Sequence, residues 1–181
     1  MKRVQLRKPN EYFIFRGTGQ SSTTIHAGSY HLALDVANIH LNNIITYSSI
    51  LPPSCYGKEV KFEDIQRELM SEENRGAVLE CIMAQCNSER NEDCAAGIAY
   101  VWLFEDHEMT KPYIGLVVER TMKSDLEALE EELFRSIREL KHESFANLYW
   151  DDDDIQLVMS HFTPEQQFGT AIAGIAFINY N

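Results

Sequence analysis

The sequence predicts one α/β domain built as a layered sandwich of the αββα type. Its 181 residues match the length of one ordinary domain. Several segments are nearly continuous apolar runs, which is typical of strands buried on both faces. Two amphipathic helical patterns lie far apart in the chain, so the helices can cover the faces of β-sheets. We therefore expect a single domain over residues 1–181 and find no internal repeat.

The predicted strands outnumber the helices. The first covers residues 11–16 and leads into a polar stretch, residues 17–24, that is predicted to be a loop. Residues 43–47 are β-like, and Pro52 and Pro53 end that region because a proline ring has no backbone donor. The further predicted strands are residues 77–84, 95–104, 113–119, 155–162 and 170–180.

Two helices are predicted from apolar periodicity. The first has one buried stripe, which Ser29 can cap at its start, and His31 and Asp35 lie four residues apart beside that stripe. Its stripe consists of Tyr30, Ala33, Leu34, Ala37 and Leu41. The second begins with a capping box formed by Ser124 and Glu127. Its buried seam consists of Leu126, Leu129, Leu133, Ile137 and Leu140.

The charge of the chain argues against nucleic-acid binding. There are 28 acidic and 16 basic residues, a formal net charge of −12, and such a surface repels phosphate backbones. Basic residues cluster only near the start, at Lys2, Arg3, Arg7 and Lys8. The apolar run at residues 12–15 is too short for a signal peptide, and no segment has the length of a membrane span. We expect a cytoplasmic protein.

A metal site is not expected. The four cysteines form no C-x-x-C pair and have no histidine at zinc-finger spacing, so buried reduced thiols are the favoured interpretation. The acidic run at residues 151–154 lacks the glycine and the distal glutamate of a calcium-binding loop, which favours a charged turn.

Residues 43–53, read as Asn-Ile-Ile-Thr-Tyr-Ser-Ser-Ile-Leu-Pro-Pro, carry the clearest functional signal. Here the sequence resembles the pyruvoyl-dependent arginine decarboxylases, in which a self-processing serine follows a strand and precedes an apolar pair and proline. The resemblance continues more weakly through residues 76–80, 115–119 and 167–169, and covers most of residues 25–180. Taken alone, the Ser-Ser stretch also fits a plain strand end with a turn.

The resemblance implies self-cleavage between Ser48 and Ser49. A β chain, residues 1–48, and an α chain, residues 49–181, would result, with Ser49 converted to a covalent pyruvoyl group. That ketone would condense with the α-amine of an amino acid and withdraw the electrons released with carbon dioxide, without metal and in place of pyridoxal phosphate. The implied reaction converts arginine to agmatine, in polyamine synthesis or acid resistance.

The resemblance also implies roles for individual residues. Glu119 matches the catalytic glutamate and ends an apolar strand, where burial raises a carboxyl pKa and suits it to donate a proton. Asn43 matches a residue near the pyruvoyl group that can bond the processing oxyanion or the substrate, although an ordinary asparagine at a strand start remains an alternative. Leu34 and Ser48 are expected to contact the substrate, together with the helix residues His31 and Asp35.

His31 departs from the family pattern, which commonly has an aspartate here to hold the guanidinium of arginine. Asp35, one turn later, is the carboxylate that can replace it. Three alternatives stay open: decarboxylation of arginine, the same chemistry on a less basic or anionic amino acid, and a non-cleaving relative that acts as a partner protein. A homotrimer with the site at the boundary between copies is the assembly that the resemblance implies.

Overall fold

The computed structural model describes residues 6–181, which form eight strands and three α-helices. The strands are β1 (Pro9–Ser21), β2 (Asn43–Thr46), β3 (Ile50–Leu51), β4 (Val78–Glu89), β5 (Cys94–Phe104), β6 (Pro112–Met122), β7 (Gln156–Phe162) and β8 (Phe168–Tyr180). The helices are α1 (His31–Val36), α2 (Phe62–Leu69) and α3 (Leu126–Ser144). A π-helical segment, Ile25–Tyr30, runs directly into α1, and Pro53–Cys55 and Asp152–Asp154 are short 3-10 turns.

The strands form two four-stranded sheets. Sheet A has the order β1-β8-β4-β2 and sheet B the order β3-β6-β5-β7. β2 runs parallel to β4, and the other pairs of neighbouring strands are antiparallel. β2 and β3, which follow each other in the chain, are therefore edge strands of different sheets.

Three apolar clusters fill the spaces between neighbouring layers. The cluster between the sheets includes Ile82, Ile98 and Phe177. A second cluster joins the outer face of sheet A to α1 and α2, and a third joins the outer face of sheet B to α3. Burial on both faces explains why so many strands read as unbroken apolar runs. The predicted αββα sandwich in a single domain is confirmed.

The first strand is longer than predicted. The polar stretch assigned to a loop continues β1 to Ser21 and pairs with β8 along its length. Gly17 faces α1 so closely that a Cβ there would lie 2.1 Å from the carbonyl oxygen of Ala33. The glycine and threonine content that indicated a loop instead lets the helix backbone approach the strand.

The first helix also differs from the prediction. α1 ends at Val36, and Asn38 adopts a positive φ of 57°, so the expected stripe does not continue helically to Leu41. Ser29 is no cap, because it lies buried within the π-helical segment, where its hydroxyl is 2.8 Å from that of Thr170. The prediction failed because the chain was already helical before Ser29.

The long helix begins one residue later than expected. The side chain of Asp125, rather than that of Ser124, accepts a hydrogen bond from the backbone N–H of Ala128 at 3.0 Å. Leu129, Leu133 and Ile137 are buried as predicted, whereas Leu126 is exposed. α2 was not predicted from the sequence, since its eight residues are mostly polar and contribute only a short apolar edge.

The remaining predictions concern thiols, metals and membranes. All four cysteines are free and buried, as the sequence analysis favoured. The acidic run forms a turn in which Asp152 pairs with Arg138 at 2.6 Å. Within residues 6–181 there is no group of three or more potential metal ligands. No helix in that range has the length and apolarity needed to cross a membrane.

Candidate active site

Residues 47–49 carry the chain from one sheet to the other. The backbone N–H of Tyr47 donates to the carbonyl of Cys81 on β4 at 2.7 Å, which fixes this end to sheet A. The carbonyl of Ser49 accepts from the N–H of Val117 on β6 at 3.0 Å, which fixes the other end to sheet B. The Ser48–Ser49 peptide bond thus lies between two anchored points on separate sheets.

The Ser48–Ser49 bond lies in a tight turn. The N–H of Ile50 donates to the carbonyl oxygen of Ser48 at 2.9 Å, closing the turn around Ser49. Ser48 is exposed and Ser49 is partly buried. A donor on the Ser48 carbonyl oxygen withdraws electron density from the carbonyl carbon and is placed to stabilise negative charge that develops there.

Glu119 lies beside Ser49. The hydroxyl of Ser49 donates to Oε2 of Glu119 at 3.4 Å, because the backbone of Ser49 is bonded to Val117, two residues before Glu119 on β6. Burial raises the pKa of the Glu119 carboxyl above its ordinary value, and the Ser49 hydrogen bond and the Arg120 charge only partly oppose this effect. A carboxyl of this kind holds its proton to a higher pH than an exposed one.

Arg120 does not neutralise the Glu119 carboxylate by a direct ion pair. Its guanidinium donates to the backbone carbonyl of Glu119 at 2.9 Å and lies 3.5 Å from the carboxylate of Glu132 on α3. Neighbouring residues of a strand point to opposite faces, which accounts for this arrangement.

Ser49 and Glu119 share an open hollow of about 320 Å³. One wall is the second half of α3, which contributes Ser136, Glu139 and Glu143. With Glu119, the hollow therefore has three carboxylate groups. The two helix glutamates were not predicted from the sequence. Their i,i+4 spacing puts them on one face of α3, but nothing in the sequence relates that face to Ser49.

Two of the four predicted substrate contacts line a second hollow, also of about 320 Å³, whereas Asp35 and Ser48 line neither hollow. His31, Leu34 and Asn43 line it together with His26 and His40. Among residues 6–181 the structure thus brings Ser49 and Glu119 together, and separately His31, Leu34 and Asn43, and these two sets line different hollows.

Asn43 and Asp35 have partners of their own. The side-chain amide of Asn43 donates to the carbonyl of Gly76 at 2.6 Å, and its backbone N–H donates to that of Ala77 at 2.8 Å. Asp35 pairs with Nδ1 of His40 at 3.0 Å, and the ring of His40 meets that of His31 edge-on at 5.7 Å. The carboxylate of Asp35 is therefore directed to a histidine of its own chain.

The groups around Ser49 fit the formation of a pyruvoyl group. The hydroxyl that would attack, the carbonyl that it would attack and an N–H donor on that carbonyl belong to one tight turn, and a half-buried carboxyl lies beside the hydroxyl. This set can catalyse acyl transfer from the peptide nitrogen to the serine oxygen and a later proton transfer.

Comparison with known proteins agrees with this chemistry. Residues 11–181 match the family model described as pyruvoyl-dependent arginine decarboxylase. A probable pyruvoyl-dependent arginine decarboxylase of Chloroherpeton thalassium is 32% identical over 119 residues, covering 59% of this chain and 61% of that protein. Pyruvoyl-dependent arginine decarboxylase 2 of Methanosarcina acetivorans is 38% identical over 77 residues, covering 42% of this chain and 38% of that protein.

The coverage of these matches is partial. The aligned part of the chain spans less than two thirds of the length of either relative. Among solved structures, a pyruvoyl-dependent histidine decarboxylase aligns with a TM-score of 0.43 and 14% identity, covering 61% of this chain and 57% of that chain.

Proposed function

Because the chain belongs to the family of pyruvoyl-dependent arginine decarboxylases, we propose that it cleaves itself between Ser48 and Ser49 and then decarboxylates an amino acid, with arginine as substrate and agmatine as product. The observation that carries this proposal is the turn in which the Ser48 carbonyl, the Ser49 hydroxyl and the Glu119 carboxyl meet. The two products are fragments 1–48 and 49–181 of one domain.

The cleavage follows from the chemistry of the turn. The Ser49 oxygen attacks the Ser48 carbonyl carbon, the C–N bond breaks, and the hydroxyl proton passes to the nitrogen, which leaves an ester. Loss of the Ser49 α-proton then breaks the bond between Cβ and the ester oxygen, so that Ser48 becomes a carboxylate and residue 49 becomes dehydroalanine. Water replaces the nitrogen as ammonia leaves, and the result is the ketone.

The pyruvoyl group supplies an electron sink for the carbanion left when carbon dioxide departs. The residues of the chain then have two tasks. Glu119, with its raised pKa, delivers a proton to the α-carbon. The hollow that Ser49 lines orients the substrate so that the bond between its α-carbon and its carboxyl group is the one that breaks.

Arginine as the substrate is supported by the charges of this hollow. Glu139 and Glu143 extend from α3 on the same side as Glu119, and the nearby positive charge of Arg120 is balanced by Glu132. Carboxylates at this position favour a cationic side chain and form charge-assisted hydrogen bonds to a guanidinium group.

A different amino acid is the second candidate, and His31 favours it. The hollow of His31 has three imidazoles, and Asp35 is already paired with His40. A guanidinium group would find no free carboxylate among these side chains, whereas an uncharged or acidic side chain would find hydrogen-bond donors.

We also propose that copies of the chain assemble into a homotrimer in the cytoplasm. The two hollows lie apart within one chain, so the His31 hollow of one copy completes the Ser49 hollow of another. A small sandwich also gains apolar burial by association. The physiological role that we propose for the reaction is polyamine synthesis or consumption of protons in acid.

Intact-mass measurement of freshly purified protein tests the proposal. We expect two masses, for residues 1–48 and 49–181, with the second lighter by the mass of ammonia than a fragment that begins with serine. The Ser49→Ala variant should remain one inactive chain. A single uncut mass in the wild-type protein after long incubation would instead favour a non-catalytic partner protein.

The substrate is tested on the cleaved protein with a panel of amino acids, measuring released carbon dioxide for each. Preference for arginine over citrulline, its uncharged analogue, supports the first candidate. Preference for citrulline or an acidic amino acid supports the second.

A further inference from the structure

Within residues 6–181, the hollow that Ser49 lines has one basic side chain, that of Arg120. The other charged residues of its lining are Glu119, Glu139 and Glu143. The proposed substrate is an α-amino acid, and its carboxylate is repelled by each of these three side chains when that side chain is ionised. One cation is thus available in the hollow to hold the carboxylate of the substrate.

The hollow lies beside a part of β6 that has no strand neighbour on one side. β3 pairs with β6 at two positions, and the next backbone hydrogen bond joins Ser49 to Val117. Beyond that bond, no strand within residues 6–181 continues beside β6 on this side. Side chains from both faces of β6 can therefore border the hollow, Glu119 from one face and Arg120 from the other.

Contacts within the chain hold the guanidinium of Arg120 beside the hollow. Its Nη1 group donates to the backbone carbonyl of Glu119 at 2.9 Å, and its Nε lies 3.5 Å from Oε1 of Glu132 on α3. The hydroxyl of Ser136, a residue with only 5% exposure, donates to the same Oε1 at 3.5 Å. The guanidinium is therefore oriented before any substrate binds, which lowers the entropy cost of a further contact.

Arg120 retains donors for a second carboxylate. A guanidinium has five N–H donors, and the contacts with Glu119 and Glu132 occupy at most two of them. The side chain of Arg120 is 44% exposed, so the remaining donors are accessible from the hollow. Two N–H groups of one guanidinium can bind the two oxygens of a carboxylate in parallel. Arg120 can therefore hold Glu132 and the carboxylate of a ligand together.

We propose that Arg120 binds the α-carboxylate of the amino-acid substrate. The amine that reacts at residue 49 and this carboxylate are attached to the same α-carbon, so both must lie in the hollow that Ser49 lines. The product has no carboxylate, so it lacks this contact and is bound more weakly than the substrate. The inference rests on the proposed function, because it assigns a substrate-binding residue for that reaction.

Two variants of Arg120 test the inference in the cleaved protein. Arg120→Gln removes the charge and should raise the KM of the preferred amino acid about tenfold or more, as expected for loss of a hydrogen bond between charged groups. The kcat should not fall, because the carboxylate loses its charge as carbon dioxide forms, and the contact therefore stabilises the bound substrate rather than the transition state. Arg120→Lys keeps the charge without the planar fork and should give a smaller rise in KM.

The direction of the change separates a direct contact from a general effect of charge. Arginine has a net positive charge, so removal of a nearby cation would by itself strengthen its binding. Weaker binding of arginine to Arg120→Gln therefore requires that the lost guanidinium contacted the carboxylate.

Calorimetry with two analogues that release no carbon dioxide measures binding directly. Deamino-arginine keeps the carboxylate and agmatine lacks it, and the corresponding pair is used if the panel identifies another amino acid. In Arg120→Gln the Kd of deamino-arginine should rise about tenfold or more, whereas the Kd of agmatine should stay the same or fall. The matched control is Arg135→Gln, since Arg135 pairs with the same Glu132 but is 72% exposed and does not line the hollow. It should bind both analogues as the wild-type protein does.

The outcomes distinguish the two proposals. If the wild-type protein decarboxylates its substrate and Arg120→Gln binds deamino-arginine equally well, Arg120 is not the carboxylate contact, and the proposed function is unaffected. Equal weakening of both analogues also contradicts the inference, since Arg120 would then only shape the hollow. If Arg120→Gln does not cleave itself, both analogues are measured on Arg120→Lys, where an unchanged Kd of deamino-arginine contradicts the inference. A wild-type protein that never cleaves overturns the proposed function and this inference with it.

Discussion

Replacing Glu119 by glutamine separates the two activities proposed for the same turn. Glutamine keeps the size of the side chain and an oxygen that accepts the Ser49 hydrogen bond, but it has no proton to give. The Ser49–Glu119 contact is long, at 3.4 Å, so its alteration should slow self-cleavage less than about tenfold. Loss of the proton donor should slow decarboxylation by about 10² to 10⁴, which is a barrier increase of about 3 to 5 kcal/mol.

The pH dependence provides a second signature of the same change. Because burial raises the pKa of Glu119, the wild-type protein should lose its proton donor, and hence activity, as pH rises through that raised value. The free energy of unfolding changes in the same direction. Protonation of the Glu119 carboxyl stabilises the folded state at low pH, and this contribution is lost as pH rises through the folded-state pKa. Both effects should be absent in Glu119→Gln.

The assay measures released carbon dioxide and fragment masses on the same preparation at a series of pH values. Glu105→Gln is the control, because Glu105 is an exposed carboxylate that follows β5. Full decarboxylase activity in Glu119→Gln would show that another group donates the proton. Complete failure of this variant to cleave would show that the carboxylate is needed in the first reaction.

Three further substitutions give expected outcomes. His31→Asp should raise the kcat/KM of arginine relative to citrulline about tenfold, by one charge-assisted hydrogen bond, and an unchanged ratio would place the substrate side chain elsewhere. Gly17→Ala should lower the free energy of unfolding in urea by about 1 to 3 kcal/mol, because its Cβ would overlap the Ala33 carbonyl, whereas Arg16→Ala on the same strand should have little effect. Asp125→Ala should cost about 1 kcal/mol in the same urea assay, and Ser124→Ala should cost nothing measurable if Asp125 is the cap.

The sequence was sufficient to predict the layers of this fold, but not the ends of every strand or the shortest helices. Burial on both faces makes β5 apolar throughout and β8 nearly so, and the 3.6-residue period of α3 is clear, so these elements could be predicted. The end of β1 could not be predicted, because the glycines that let α1 approach the strand closely are also typical of loops. α2 was missed because a short, mostly polar helix has too few apolar positions to show a period.

The site was predictable to a similar degree. Ser48 and Ser49 lie in a contiguous motif, and Glu119 directly follows an apolar run, so these residues could be selected from the chain alone. The prediction that the strand ends at residue 119 was wrong, because β6 continues to Met122. Glu139 and Glu143 could not be selected, since only the packing of α3 against sheet B brings them to Ser49.

The topology explains why a break at Ser48 need not unfold the protein. Fragment 1–48 contributes β1 and β2, the two edge strands of sheet A, and β1 pairs with β8 from Pro9 to Ser21. The residues on the two sides of the break are fixed to different sheets. The break therefore interrupts no run of backbone hydrogen bonds between strands of the same sheet. The change of sheet leaves the linking peptide free to adopt a reactive turn without distorting either ladder. Cleavage there removes a covalent link but none of the contacts that bury Phe13, Phe15 and Leu34, and the two fragments should therefore unfold as one unit.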